Sequence, residues 1–465
     1  MTATIADRWT VHLDRLRAKH RVPGVQLGVL RLGGGGSETS RLLMESGVLD
    51  VERATPVERD SAFQIGSISK VVTAATALRC AELGLLDLSA PIRTLLPGFR
   101  LADDAVARAV SMADLLCHRS GIEGERYRET GEDAAAVARY VDELADARQV
   151  HPLRGGFSYS NTAYVIAGRA IEVATGMPWA EAAAALVLRP LGLARVSAPT
   201  SPGEVRSPAI GHVIDADDRM VRAEPWRIPP GMAPAGMLTA DVGAVLDLLA
   251  CSLRRGTAAD GAIVLSRASA DALVEPAVAT DVPGVDAWGL GWFTERWGDR
   301  AVFGHDGGTN GQFAFARAVP EAGIAFALLT NGGHARAFYE ELMPVLAADT
   351  IDSPGPASPA PASGGAGPAT GGAATVFPAL TGERRYRNGD GDLILIPRNA
   401  SGPLAAWATA DAAANPSEFT PVLPAASRDG FVWQKPGERH WRTLVPLETE
   451  RAVLLGSRRM RSVQA

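Results

Sequence analysis

Apolar positions recur with the 3.6-residue period of an amphipathic helix in five stretches of the chain. The first covers residues 5–20 and stops before a Pro-Gly pair, which often follows a helix. The second begins at Ser67 and runs to about Leu83. The last three helices are predicted at residues 162–175, 239–253 and 335–348. Thr239 is the expected N-cap of the helix at 239–253, and one face of the helix at 335–348 is expected to pack on a sheet.

Short runs of alternating or continuous hydrophobicity predict strands. Residues 25–32 and 40–48 form an expected hairpin, joined by the glycine run 33–36. This run lacks the Gly-Lys-Ser/Thr ending of a phosphate loop, so we interpret it as a turn. Further strands are predicted at residues 288–293, 301–303, 311–319 and 323–330.

The remaining parts of the first 350 residues show weaker patterns. Residues 85–150 are expected to be mostly helix and loop, and residues 177–235, rich in Pro, Gly and Ala, to form irregular turns. His118 lies in the stretch 115–121, where we expect it to brace a loop rather than to take part in catalysis.

The last quarter of the chain differs in composition. Residues 353–374 are almost wholly Pro, Ala, Ser and Gly and are predicted to form a linker, because they have too little apolar surface to fold. Beyond them, short alternating segments separated by turn residues predict a small antiparallel sheet or barrel. These segments are 392–396, 405–409, 430–434, 441–445 and 452–455.

Composition and charge exclude several classes of protein. The 465 residues carry a net charge of −6, so a basic nucleic-acid-binding surface is not expected. No apolar run has the length of a membrane span, and residues 1–16 lack the apolar core of a signal peptide. We therefore expect a cytoplasmic protein. The three cysteines have no metal-ligand spacing and are expected to be reduced and buried.

The beginning of the second predicted helix carries candidate chemistry. Ser67 and Lys70 are three residues apart and share one face of its first turn. A serine hydroxyl needs a base to become a nucleophile. A lysine that is desolvated at a helix N-terminus can lose its proton and be that base. Only three of the 46 Lys and Arg residues are lysines, which makes this lysine more informative.

Two later stretches complete a pattern. Tyr159-Ser160-Asn161 follows a loop and opens a helix, and His305-Asp306-Gly307-Gly308 lies between two predicted strands. Singly, these residues have ordinary interpretations as helix caps, a packing tyrosine and a loop histidine. The joint order Ser-x-x-Lys, Tyr-x-Asn, His-x-Gly resembles the penicillin-recognising serine hydrolases, and is closest to class C β-lactamases, D-aminopeptidases and related esterases.

This resemblance covers residues 10–348 and implies a fold. The fold is α+β, with an antiparallel sheet flanked by helices and a helical subdomain, as in β-lactamases and transpeptidases. A small all-β domain similar to lipocalins is expected at the C-terminus. The implied domains are 1–350 for catalysis, 351–375 for the linker and 376–465 for the β domain.

The resemblance also implies roles for individual residues. Ser67 would be the acylated nucleophile, and Lys70 and Tyr159 would share general-base and general-acid duty. Asn161 would orient the substrate amide or the lysine. The backbone N–H groups of Ser67 and Gly308 would form the oxyanion hole.

The third motif narrows the expected chemistry. His305 and Gly307 would line the sheet edge beside the acyl group, and β-lactamases usually have at the histidine position a lysine that binds a carboxylate. A histidine is neutral or only partly charged at pH 7. The resemblance therefore favours an esterase, amidase or transacylase over a true β-lactamase. No metal or cofactor is implied.

Three functions stay open. The first is a hydrolase or transacylase for ester, thioester or amide substrates, with a role in natural-product metabolism. The second is a penicillin-binding-protein-type thioesterase that releases or cyclises a nonribosomal peptide, with a carrier-protein-bound thioester as a possible donor. The third is a non-catalytic binding protein that keeps the pocket. The expected partner is a small-molecule or peptidyl acyl substrate, with neither nucleic acid nor membrane.

Overall fold

The computed structural model describes residues 3–33, 39–124, 126–215 and 217–356, and the backbone of eight strands between residues 384 and 462. A nine-stranded antiparallel sheet lies at the centre of the first part, in the order β3-β2-β1-β13-β12-β11-β10-β9-β8. Its strands are β1 Gly24–Arg31, β2 Ser40–Asp50, β3 Thr55–Pro56, β8 Val278–Ala279, β9 Ala287–Trp288, β10 Phe293–Trp297, β11 Arg300–Gly308, β12 Phe313–Val319 and β13 Ile324–Thr330.

Helices cover both faces of this sheet, and short strands form two small accessory pairs. The accessory strands are β4 Phe63–Gln64 with β7 Thr239–Ala240, and β5 His212–Ile214 with β6 Met220–Arg222. The helices are α1 Ala3–Lys19, α2 Ser69–Glu82, α3 Asp104–Ala109, α4 Met112–Leu116, α5 Ala136–Asp142, α6 Asn161–Thr175, α7 Trp179–Ala183, α8 Ala233–Gly236, α9 Val242–Leu253, α10 Arg267–Val274 and α11 Ala335–Ile351. The predicted α+β arrangement of an antiparallel sheet flanked by helices is confirmed.

Two hydrophobic cores hold the helices to the sheet. On one face of the sheet, α1 and α11 bury their apolar sides. The prediction that one side of the last helix packs on the sheet is confirmed, because the large apolar residues of that side are at most 1% exposed. The residues of these apolar sides include Trp9, Leu13, Leu16, Phe338, Leu342 and Leu346. The larger core on the other face contains α2, α6 and α9. It holds the N-terminus of α2 against the sheet, where the candidate residues lie.

Most elements agree with the predictions, and three were placed wrongly. The strand predicted at 288–293 is interrupted, because the backbone turns at Gly289–Trp292 and the N–H of Gly289 donates to the carbonyl of Trp292. The N-cap of α9 is Asp241 and not Thr239. Thr239 lies instead in β7, where it pairs with Gln64 of β4. The region 177–235 contains α7, continued by the π-helical turn Ala184–Leu188, because its Ala- and Leu-rich segment favours helix.

The third motif was also placed wrongly. Residues His305–Gly308 do not lie between strands but form the end of β11, paired with β12 in the register His305–Ala316 and Gly308–Phe313. The two glycines, which have no side chains, allow this strand to approach another part of the backbone closely.

The C-terminal strands form a closed antiparallel barrel in sequence order. Its strands are β14 Arg384–Asn388, β15 Gly391–Ile396, β16 Leu404–Ala408, β17 Thr420–Pro424, β18 Phe431–Trp433, β19 Arg442–Leu447, β20 Ala452–Leu455 and β21 Arg458–Ser462. Five of them match the five predicted segments. The likeness to lipocalins and the domain boundaries stay predictions. Most of the predicted linker and of the turn at 33–36 lies outside the described residues.

The remaining expectations concern cysteines, metals and membranes. Cys80, Cys117 and Cys251 are free and buried, as predicted. Among the described residues, no cluster of His, Cys, Asp and Glu could hold a metal ion. Across the same residues no single helix is long and apolar enough to cross a membrane, although α6 with residues 179–188 would pass as a pair bent by 76°.

Candidate active site

The candidate nucleophile lies at the junction of a loop and α2. Gly66–Ile68 form one turn of 3₁₀-helix, and α2 continues from Ser69. The side chain of Ser67 caps neither of these helices, because the cap positions are Ile65 and Ile68 and neither makes a side-chain cap bond. Ser67 is partly exposed in an otherwise buried turn. Ser67 is therefore not a helix cap.

Lys70 links this serine to the rest of the site. Its side chain is fully buried, and its Nζ lies 2.9 Å from the Oγ of Ser67. The same Nζ donates to the carbonyl oxygen of Ala235, at 2.5 Å, and lies 4.9 Å from the centre of the Tyr159 ring. A buried amine in hydrogen-bond contact with a hydroxyl is the geometry that serine activation needs.

The segment that carries Ala235 is fixed to α2 and α6. Thr73 on α2 donates to the carbonyl of Pro234 at 2.7 Å, and the N–H of Leu238 donates to Ser69 Oγ at 3.0 Å. On α6, a Cβ at Gly168 would lie 2.2 Å from the Pro234 ring, so only glycine permits this approach. These contacts determine where the acceptor for Lys70 lies.

The second motif lies at the beginning of α6. Ser160, not Asn161, is the N-cap of that helix: its Oγ accepts from the N–H of Ala163 at 3.1 Å. Asn161 is 6% exposed, and its backbone N–H donates to the carbonyl of Gly124. The side chain of Asn161 therefore does not cap α6.

His118 positions the tyrosine of this motif. Its ring is fully buried and packs against the ring of Tyr159, with 4.3 Å between the ring centres. Its Nδ1 accepts from the N–H of Ser160 at 3.0 Å, and its carbonyl accepts from the N–H of Ser158 at 2.9 Å. The prediction that His118 braces a loop agrees with these contacts, and the loop is the one that holds Tyr159.

The backbone of strand β11 packs directly on the backbone of Gly66–Ile68, the turn that carries Ser67 and is called the nucleophile turn below. Gly66 has a φ of +49°, and a Cβ there would lie 2.5 Å from the nitrogen of Gly308. A Cβ at Gly307 would lie 1.9 Å from the carbonyl oxygen of Ile65 and 3.2 Å from the nitrogen of Ser67. The amides of Ser67 and Gly308 are therefore close together at this crossing, as an oxyanion hole requires.

His305 lies on the wall of the site. Its ring is 2% exposed and packs beside Tyr159 and Trp288, with ring-centre distances of 6.2 Å and 5.4 Å. Burial and the nearby charge of Lys70 lower the pKa of His305 to about 3, so the ring is neutral at neutral pH. Its Nδ1 lies 2.6 Å from the carbonyl oxygen of Asp306, which can only accept, so Nδ1 carries the proton.

A network of charges around the buried Arg317 supports β11 from the opposite face. Asp306 accepts from Arg317 at 2.7 Å and from Arg336 at 2.6 Å. Arg317 also donates to Glu295 at 2.8 Å. Burial alone would raise the pKa of Asp306, but the two guanidinium groups outweigh it and lower the pKa. The ion pairs of the Asp306 carboxylate thus hold β11 in place between His305 and Gly307.

Replacing this carboxylate should destabilise the fold. We expect Asp306→Asn to lower the free energy of unfolding at pH 7 by about 2 kcal/mol, because it removes a carboxylate shared by Arg336 and the buried Arg317, which keeps only Glu295 as a charged partner. Because the pKa of Asp306 is lower in the folded than in the unfolded chain, its stabilisation is present above about pH 4 and lost as the pH falls further. Urea unfolding at pH 7 and below pH 4 checks both points.

The control for that experiment is Asp299→Asn, which changes an exposed carboxyl in the β10–β11 turn. It should leave the free energy of unfolding nearly unchanged. A difference between wild type and Asp306→Asn that stayed constant on acidification would contradict the account of this network.

The structure brings six of the seven predicted site residues together, and Asn161 begins the helix that directly follows Tyr159. Ser67, Lys70, Tyr159 and His305 are joined by the contacts above, and the two glycines of β11 lie against the nucleophile turn. Sequence reasoning missed Ala235, which acts through a backbone carbonyl and therefore leaves no signal in residue type. It also missed the ion pairs of Asp306, although an acidic residue inside an apolar strand is an unusual sequence feature.

Comparison with known sequences identifies the family. The profile of the Beta-lactamase family matches residues 9–350. The chain belongs to the β-lactamase family. A relative, penicillin-binding protein 4 of Amycolatopsis lactamdurans, is 37% identical over 340 residues, which cover 72% of this chain and 87% of that protein. The esterase EstB of Burkholderia gladioli is 31% identical over 208 residues, covering 41% of this chain and about half (51%) of that protein.

Solved structures show the same fold for this β-lactamase-family protein. The crystal structure of SurE with D-Leu superimposes with a TM-score of 0.74 and 25% sequence identity, and covers 99% of this chain and 100% of that one. The expected β-lactamase-like fold, with a large antiparallel sheet and helices, is therefore confirmed for this chain.

Proposed function

We propose that this protein is a serine acyl-enzyme hydrolase or transacylase that acts on ester, thioester or amide substrates. The observation that carries the proposal is the 2.9 Å contact between Ser67 Oγ and the Nζ of a fully buried Lys70. A serine that only capped a helix, or a lysine that lay on a solvent-exposed helix face, would not produce this buried contact. Membership of the β-lactamase family supports the same chemistry.

The reaction proceeds through an acyl-enzyme. Lys70 and Tyr159 take the proton of Ser67 as its Oγ attacks the substrate carbonyl, and they pass it to the leaving group. The backbone N–H groups of Ser67 and Gly308 stabilise the developing oxyanion. Asn161 orients the substrate. Water or another nucleophile then releases the acyl group by the same proton path in reverse.

The relatives support the range of substrates. EstB is named as an esterase, and penicillin-binding protein 4 is named for penicillin, whose reactive bond is an amide. SurE was solved with D-Leu, which supports substrates built from amino acids. We propose a small-molecule or peptidyl acyl donor on these grounds, and no cofactor enters the mechanism.

A penicillin-binding-protein-type thioesterase that releases or cyclises a nonribosomal peptide is a second candidate. Its support is the closed eight-stranded barrel that follows the family domain, because the resemblance to these thioesterases rests on a family domain followed by a small β domain. In this case a carrier-protein-bound thioester would be the acyl donor. A role in natural-product metabolism and a cytoplasmic location belong to this proposal, and cell fractionation tests the location.

Product analysis separates these candidates. The full-length protein is incubated with a synthetic peptidyl thioester and, in parallel, with matched aryl ester and anilide donors. Cyclic peptide supports the second candidate, and linear acid alone supports the first. If none of these donors is consumed while Ser67 stays unmodified, the protein would instead be the non-catalytic binding protein.

We expect no turnover of a chromogenic cephalosporin at enzyme concentrations that turn over the preferred ester. The wall residue His305 is neutral and presents no cation to the cephalosporin carboxylate. Absorbance at the wavelength of the opened product measures this directly. Steady hydrolysis at ordinary enzyme concentration would show that the protein acts as a β-lactamase.

A further inference from the structure

One ring nitrogen of His305 has no hydrogen-bond partner among the described residues. Its Nδ1–H donates to the carbonyl of Asp306, which leaves Nε2 as a lone-pair acceptor. Nε2 is buried and has no hydrogen-bond partner among these residues. Buried acceptors are almost always satisfied, so an exception beside a reaction centre points to a ligand.

The unsatisfied nitrogen is on the face of β11 that carries the chemistry. Successive side chains of a strand point to opposite faces, and the carboxylate of Asp306 pairs with Arg317 and Arg336 on one of them. His305 therefore points to the other face, where its ring packs beside Tyr159. Tyr159 is the residue that exchanges a proton with the leaving group and with the incoming nucleophile.

We propose that Nε2 of His305 is an acceptor subsite for the nucleophile that attacks the acyl-enzyme, and that it selects amines bearing an uncharged amide rather than a carboxylate. An amide N–H donates to this lone pair, whereas a carboxylate has only lone pairs to present and is repelled. This inference rests on the proposed function and specifies the second substrate of that same site.

The chemical step balances without any further reactant. The amine nitrogen attacks the carbonyl carbon of acylated Ser67, a C–N bond forms and the C–Oγ bond breaks. The proton lost by the amine passes through Tyr159 and Lys70 to Oγ, which regenerates the free serine. The amide group beside the amine is held by Nε2 during the attack, and this raises its effective concentration.

Alaninamide and alanine form the matched pair of acceptors that tests the proposal. They differ only in an amide in place of a carboxylate, and both enantiomers are used at equal concentrations of free amine. The acyl donor is the phenylacetyl thioester of N-acetylcysteamine. Mass spectrometry measures the ratio of phenylacetyl amide product to phenylacetic acid for each acceptor.

We expect the wild-type protein to give a ratio at least about tenfold higher with alaninamide than with alanine, which corresponds to one hydrogen bond. His305→Lys replaces the acceptor by a charged donor, and should reduce this preference at least tenfold by improving the use of alanine. His305→Gln carries an acceptor oxygen and should retain part of the preference, which a purely structural role of His305 would not produce.

Three results would overturn the inference: equal ratios for the two acceptors, a preference that His305→Lys leaves unchanged, or hydrolysis alone with every amine. Failure of the thioester to acylate Ser67 at all, read from intact-protein mass, would overturn the proposed function as well. The two failures are thus distinguishable in one set of samples.

Discussion

Lys70→Arg is expected to reduce the rate of Ser67 acylation by about 10²–10⁴-fold, the range typical of general-base catalysis. Arginine keeps the positive charge and much of the length of lysine, but it is not deprotonated in proteins. The substitution therefore separates a base from a cation that merely holds the serine. The rate is measured as the single-exponential appearance of adduct with an excess of an activated ester.

The chain provides a matched control for this substitution. Lys19 is about half exposed and forms a surface ion pair with Glu341 at 2.6 Å. Lys19→Arg makes the same chemical change far from the site, and should leave the acylation rate unchanged. If Lys70→Arg acylated within tenfold of the wild-type rate, Lys70 would not be the base, and the proton would have to leave Ser67 by another path.

Gly307→Ala is expected to lower kcat/KM by about 10²–10³-fold, the loss typical of removing one oxyanion-hole donor. The added Cβ would lie 1.9 Å from the carbonyl oxygen of Ile65, so β11 must move away from the nucleophile turn. This movement separates the amides of Ser67 and Gly308. Steady-state kinetics on the preferred ester give the effect, and circular dichroism shows whether the variant is folded.

Two other glycines provide controls of graded severity. At Gly308 the added Cβ would meet only the Phe313 ring, at 3.7 Å, so Gly308→Ala should lose much less activity than Gly307→Ala. Gly98 has nothing within 4 Å, and Gly98→Ala should behave as wild type. Equal losses at Gly307 and Gly308 would mean that the backbone crossing does not determine the activity.

The sequence predicted the nucleophile region well, because several local signals agreed there. A helical apolar period, the Ser-x-x-Lys spacing and the rarity of lysine all pointed to Ser67 and Lys70. The apolar period alone also predicted α1 and α11. Both helices bury their apolar stripe in the same core, where tertiary packing acts in the same direction as the local pattern.

Tertiary packing overrode the local signal in other places. The two glycines after Asp306 have the composition of a turn, but the pairing of β11 with β12 holds them in a strand. Thr239 is a good N-cap by residue type, yet pairing with Gln64 keeps it in β7, and Asp241 takes the cap. Gln64 is far from Thr239 in the sequence, so no local pattern could indicate this pairing.

The support of the site was also not predictable from sequence. The acceptor for Lys70 is the carbonyl of Ala235, and any residue at that position would supply the same oxygen. The position of this carbonyl depends on Gly168, through contact with Pro234. The tautomer of His305 likewise depends on a backbone carbonyl, so the residue type predicted a histidine wall but not which nitrogen carries the proton.

Intact-protein mass after incubation with a fluorophosphonate tests the central claim most directly. The samples are wild type, Ser67→Ala and Ser69→Ala, the last a serine two residues away whose hydroxyl accepts from the N–H of Leu238. We predict one adduct per chain on wild type and on Ser69→Ala, and none on Ser67→Ala. An adduct that persists on Ser67→Ala, or none on the folded wild-type protein, would contradict the assignment of Ser67 as the activated nucleophile.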